Sequence, residues 1–112
     1  MPRDVRKYLF DIEQACQLVS SFVAGKSFDH YQADPMLRSA VERQFEIIGE
    51  ALNQALKVDP DLAQSISHSA RIVGFRNQLI HGYASVSNEV VWGVVEIWLP
   101  ILHREVRELL RN

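Results

Sequence analysis

Residues 74–83 read GFRNQLIHGY and bring a guanidinium (Arg76), an amide (Asn77), an imidazole (His81) and a phenol (Tyr83) into one short segment. Arginine is suited to forked contacts with a phosphate. Histidine is the side chain that donates or accepts a proton near neutral pH. Asn77 and His81 are four apart, so on a helix they share one face and the amide can orient the imidazole. Arg76 lies about 140° around an ideal helix from His81, but its long side chain, and a loosening of the helix at Gly82, can bring both groups to one pocket. Together they fit phosphodiester chemistry without a metal. Spacing alone is weak evidence, because a cap histidine, a surface arginine and a half-buried tyrosine form a common trio.

The other chemistry-bearing residues give less. His30, His68 and His103 are scattered and no HExxH occurs, so a zinc site has little support. His30 and His68 are expected in solvated loops. His103, beside Arg104, Arg107 and Arg111, is expected to complement the C-terminal dipole of the last helix rather than to touch RNA phosphates. The single cysteine, Cys16, excludes an internal disulfide and falls on an apolar stripe, as an inert core residue does. Glu46 and Glu50 are one helical turn apart and, with Arg43 and Asn53 nearby, read as solvated charge. Gly49 reads as a point of close helix contact. The net charge of -2 does not suggest a general nucleic-acid binder. Residues 29–61 hold seven acids against three bases, so any phosphate affinity must be local.

These residues need a scaffold, and the hydrophobic pattern is helical throughout. Length predicts one compact domain over residues 1–112. Val5, Tyr8, Leu9, Ile12, Ala15, Cys16, Val19 and Phe22 form the stripe of a first helix ending at Gly25. Asp34-Pro35 opens a second, with Leu37, Val41, Phe45, Ile48, Leu52 and Leu56 inward. Asp59-Pro60 starts only a short helical piece. A third helix over about 69–81 directs Ile72, Leu79 and either Phe75 or Ile80 inward, with Gly82 as a left-handed C-terminal cap. Ser87 caps a fourth running to about Leu110, which Pro100 should kink or locally unwind. The expected architecture is all-α, an antiparallel four- to five-helix bundle. In VVWGVVEIWLPIL, Trp92, Val95, Trp98 and Leu99 cannot all enter one small core. That helix is either central to the bundle or the seam of a homodimer. No apolar signal core or membrane span is evident, so a cytoplasmic protein is expected.

Four separated blocks, YLFDIEQA (8–15), VERQFEIIGEALNQ (41–54), IVGFRNQLIHGY (72–83) and VVWGVVEIWLPIL (90–102), resemble the HepT-like members of the HEPN superfamily in order and spacing. The resemblance implies a homodimeric, metal-independent ribonuclease toxin without cofactors, whose two motifs meet in one cleft. It carries Arg76, Asn77 and His81 onto the catalytic Arg-x4-His positions. It also carries Tyr83 onto the position that an MNT-type minimal nucleotidyltransferase antitoxin modifies with AMP. The competing reading is a non-catalytic helical subunit that docks a nucleotidyltransferase and presents substrate to it.

Overall fold

A computed structural model describes residues 1–111. Helix α1 (Arg3–Val23) buries Val5, Leu9, Ile12, Ala15, Cys16 and Val19 along one stripe, and Gly25, with φ +73°, turns the chain after it. The short α2 (Phe28–Ala33) follows, then the long α3 (Pro35–Val58). At its start Asp34 Oδ1 accepts from the backbone N–H groups of Met36 (3.0 Å) and Leu37 (3.2 Å), the cap expected of Asp-Pro. A 3-10 turn (Pro60–Gln64) leads to α4 (Ser69–His81). After a second 3-10 turn (Tyr83–Ser85), the chain enters a continuous helical run of α5 (Asn88–Gly93), a π turn (Val94–Trp98) and α6 (Leu99–Arg111). No strand occurs among the described residues, and no helix of theirs is long and apolar enough to cross a membrane.

The π turn is how the chain accommodates Pro100. Proline lacks a backbone donor and its ring crowds the carbonyl of the preceding turn. One residue earlier, the Leu99 N–H bonds to the Val94 carbonyl five positions back, which widens the turn ahead of the proline. The expected local unwinding thus takes a hydrogen-bonded form. It also decides where the greasy segment points: Val91, Val95, Leu99, Leu102 and Val106 are buried. The two indoles flank that stripe, Trp92 against Tyr31 (ring centroids 5.3 Å) and Trp98 against the ring of His68 (4.5 Å). A central position within one chain therefore accounts for Val95, Leu99 and both tryptophans, and leaves Val90 and Ile97 at the surface.

Helix α6 runs antiparallel to α1. Arg6 Nη2 donates to the Leu110 carbonyl at 2.8 Å, and His103 Nε2 lies 2.6 Å from Glu13 Oε2. That last pair corrects the expectation for His103, which is tied to α1 rather than serving as a free dipole-complementing cation. Both side chains are only 13% exposed. His30 is not in a loop: its Nδ1 accepts from the Ser27 N–H at 3.0 Å while Ser27 Oγ accepts from the His30 N–H at 3.3 Å, a reciprocal cap on α2. His68 precedes α4 with φ 58°, its ring against Trp98 rather than merely solvated. Gly82 has φ −125° and is not a left-handed cap. Its N–H still closes the helix on the Gln78 carbonyl at 2.8 Å, and the chain continues into the 3-10 turn instead of reversing. Ile80, an alternative to Phe75 as an inward residue, is exposed, while Phe75 is half-buried and edge-on to Phe45 (5.5 Å).

Candidate active site

The site grows from one face of α4 packed on α3. Leu79 is fully inward, with Ile72 and Phe75 half-buried beside the core, and these hold the helix down. The approach to α3 is closest at Gly49: a Cβ placed there would lie 2.2 Å from Arg76 Cβ and 2.7 Å from its Cγ. Unrelated carbon atoms pack at about 3.5–4.0 Å, so only a residue without a side chain admits the stem of Arg76 at this crossing. Gly49 is thus the close-contact glycine the sequence suggested, and what it admits is the arginine of the motif.

The guanidinium emerging from that contact is held at both ends. Arg76 Nη2 lies 2.8 Å from Glu50 Oε2, and Arg76 Nη1 donates to Asn77 Oδ1 at 2.9 Å. Gln54 Nε2 in turn donates to Glu50 Oε1 at 2.8 Å. Arg76 Nε is buried with no hydrogen-bond partner. A guanidinium has five N–H donors; Glu50 and Asn77 each engage one of its terminal nitrogens. Glu50 is therefore not simply solvated charge, as its spacing to Glu46 suggested. Nor is the Asn77 oxygen turned to His81; it is committed to Arg76.

His81 is the last residue of α4 and is exposed, and its ring makes no hydrogen bond among the described residues. Tyr83, two residues on, begins the 3-10 turn and is 75% exposed. That turn is closed by Ser85, whose backbone N–H and Oγ both reach the Gly82 carbonyl, at 2.9 and 2.7 Å. The protomer therefore joins Arg76 to Asn77 and leaves His81 and Tyr83 open to solvent. Neither His68 nor His103 supplies a second imidazole beside His81. His68 is thirteen residues before His81, about 20 Å along a helix at 1.5 Å per residue, and His103 lies against Glu13 of α1.

Arg76 and Ile80 border an open cleft of about 270 Å³ between α1, α3 and α4, whose other polar walls are Tyr8, Asp11, Arg43, Glu46, Glu50 and Gln54. A smaller pocket of about 90 Å³, lined by His68, Phe75 and Trp98 among others, contains none of the motif side chains. Among the described residues no group of three or more His, Cys, Asp or Glu side chains is placed to hold a metal ion. The residue missed from sequence was Glu50. Its helical neighbours could be counted, but its partner lies on another helix.

Comparison with known proteins places the whole chain beside named ribonucleases. The "Putative RNase TTE0752" of Caldanaerobacter subterraneus subsp. tengcongensis is 34% identical over 107 residues, covering 96% of this chain and 95% of that protein. The "Probable ribonuclease HepT" of Thermococcus cleftensis is 30% identical over 113 residues, covering 97% and 98%. The "Putative RNase MJ1380" of Methanocaldococcus jannaschii is 31% identical over 106 residues, covering 93% and 94%. No solved structure matches significantly. The family described as "Ribonuclease HepT-like" matches residues 12–109, a span that contains every residue of the Arg76–Tyr83 motif, and the chain belongs to that family.

Proposed function

We propose that this protein is a metal-independent endoribonuclease, acting as the toxin of a toxin–antitoxin pair, with Arg76, Asn77 and His81 at a site completed by a second copy of the chain. The observation that carries the reading is the pairing of a fixed guanidinium with a free imidazole. Arg76 is held by α3 and Asn77, while His81 sits unpartnered on the open end of the same helix.

RNA supplies its own nucleophile, the ribose 2'-hydroxyl, so cleavage needs positioning, two proton transfers and charge stabilisation. One His81 takes the 2'-hydroxyl proton as the 2'-oxygen bonds to phosphorus. The bond from phosphorus to the 5'-oxygen breaks, and the second copy's imidazole gives that oxygen a proton. The products are a 2',3'-cyclic phosphate and a free 5'-hydroxyl. Arg76 binds the non-bridging phosphate oxygens and the charge that develops there, and Asn77 holds Arg76. Two-fold association is needed because one protomer has a single free motif imidazole. The exposed apolar side chain of Ile80, next to His81 in the chain, supports an interface there.

Tyr83 is then the control point. Its exposure suits modification by an MNT-type nucleotidyltransferase antitoxin, and an AMP group there places negative charge and bulk beside the position of the substrate phosphate. The deciding experiment is RNA cleavage by wild type and His81→Ala, each in excess chelator. Wild type should cut and leave cyclic phosphate ends. His81→Ala should not cut, and should melt like wild type, because the ring is exposed. Cleavage that requires added divalent metal, or that survives His81→Ala, refutes the scheme. A dimer that binds the nucleotidyltransferase yet never cuts RNA would support the adaptor reading instead.

A further inference from the structure

We propose that Glu50, on α3, is a positioning residue of the site: it fixes the guanidinium of Arg76 in the orientation that receives the scissile phosphate. The assignment of the phosphate rests on the ribonuclease reading above; the immobilisation of Arg76 does not.

Three observations converge. The stem of Arg76 has one route past α3, across Gly49, which places the guanidinium beside the next residue along that helix, Glu50. The contact is close, at 2.8 Å between Nη2 and Oε2, and Arg76 is only 23% exposed while Glu50 is 44% exposed. Finally, Glu50 is itself braced by Gln54, and Asn77 holds the opposite terminal nitrogen. An exposed arginine samples many rotamers and loses that freedom on binding a phosphate. Here the loss has already occurred during folding. Each terminal nitrogen keeps a second N–H, so the held guanidinium still has donors for an anion.

Glu50 also lowers the local positive charge, so it weakens long-range attraction for RNA while improving geometry. A purely attractive site would omit the carboxylate. This trade gives the proposal a kinetic signature: removing the negative charge should reduce turnover without weakening substrate binding.

The test uses the full chain as Glu50→Gln, with Arg76→Lys and the double variant alongside. Glu50→Gln should lower kcat about tenfold to a hundredfold while KM for an RNA oligonucleotide stays within about threefold or falls. In the Arg76→Lys background the same change should have little further effect, since the fork it serves is gone. Unchanged or raised kcat in Glu50→Gln, or losses that multiply independently in the double variant, overturn the proposal. A second measurement needs no RNA. In nitrogen-15 NMR, the terminal nitrogens of Arg76 should give separate, slowly exchanging signals in wild type, identified by their loss in Arg76→Lys, and should average in Glu50→Gln. Averaged signals in wild type refute the positioning role even if RNA is cut. Separate signals with no cleavage at all would retain it and remove the ribonuclease reading.

Discussion

Substituting alanine for Gly49 tests the central packing contact. Two effects oppose one another. Inside a helix alanine is favoured over glycine by roughly 1 kcal/mol. The new methyl, however, would stand 2.2 Å from Arg76 Cβ and 2.7 Å from Cγ, with the Ile72 carbonyl at 3.5 Å. Against an ordinary carbon separation of about 3.5–4.0 Å the shortfall exceeds an ångström. The nearer atom is a Cβ, fixed by the α4 backbone, so no rotamer change of Arg76 relieves it and the two helices must separate. Overpacking of this kind costs about 1–3 kcal/mol, occasionally more. The net expectation is a loss of up to about 2 kcal/mol, a fall in Tm of up to about 10 °C for a chain of this size. Circular dichroism melts of the single variants and two double variants measure it. Pairing Gly49→Ala with Arg76→Ala should not restore stability, because alanine keeps the clashing Cβ. Pairing it with Arg76→Gly should show favourable coupling. A Tm raised by Gly49→Ala alone would mean that helix propensity dominates and that the close approach is not real.

Tyr83→Phe should leave RNA cleavage within about twofold of wild type, since the side chain is exposed and outside the proton transfers; labelling with radioactive ATP and the cognate transferase should show that AMP no longer attaches. Tyr31 is fully buried with a hydroxyl that has no hydrogen-bond partner, so Tyr31→Phe should be neutral or stabilising by up to about 1 kcal/mol in urea unfolding, and a clear loss would reveal an unseen partner. Burial, and then the nearby Glu13 carboxylate, push the Cys16 thiol from an ordinary 9.0 up to about 12. The native state therefore keeps this proton after the unfolded chain has released it. Stability should be unaffected below pH 9 and fall by about 1.4 kcal/mol per unit as pH rises from 9 toward 12. Cys16→Ala should remove that part of the slope.

The sequence by itself determined the helices and most of what they bury. The stripes of α1 and α3 follow from the 3.6-residue period, and Asp34-Pro35 and Ser87 cap as their chemistry dictates, because these interactions span three or four residues of one segment. The one short helix that went unseen, α2, is capped by a histidine where glutamate or glutamine is usual, so its signal was present but in unfamiliar form. Membership of four blocks in one family likewise needed only their order. What tertiary structure decided were the partners. Glu13 meets His103 across ninety positions, Glu50 meets Arg76 across twenty-six, and Trp98 meets His68 across thirty. Each depends on which way two helices cross and rotate, a choice made by the whole core at once. A short-range pattern contains no term for it. The motif therefore named the arginine, but only the packing of α3 under α4 showed that its neighbours are a bare glycine and a carboxylate.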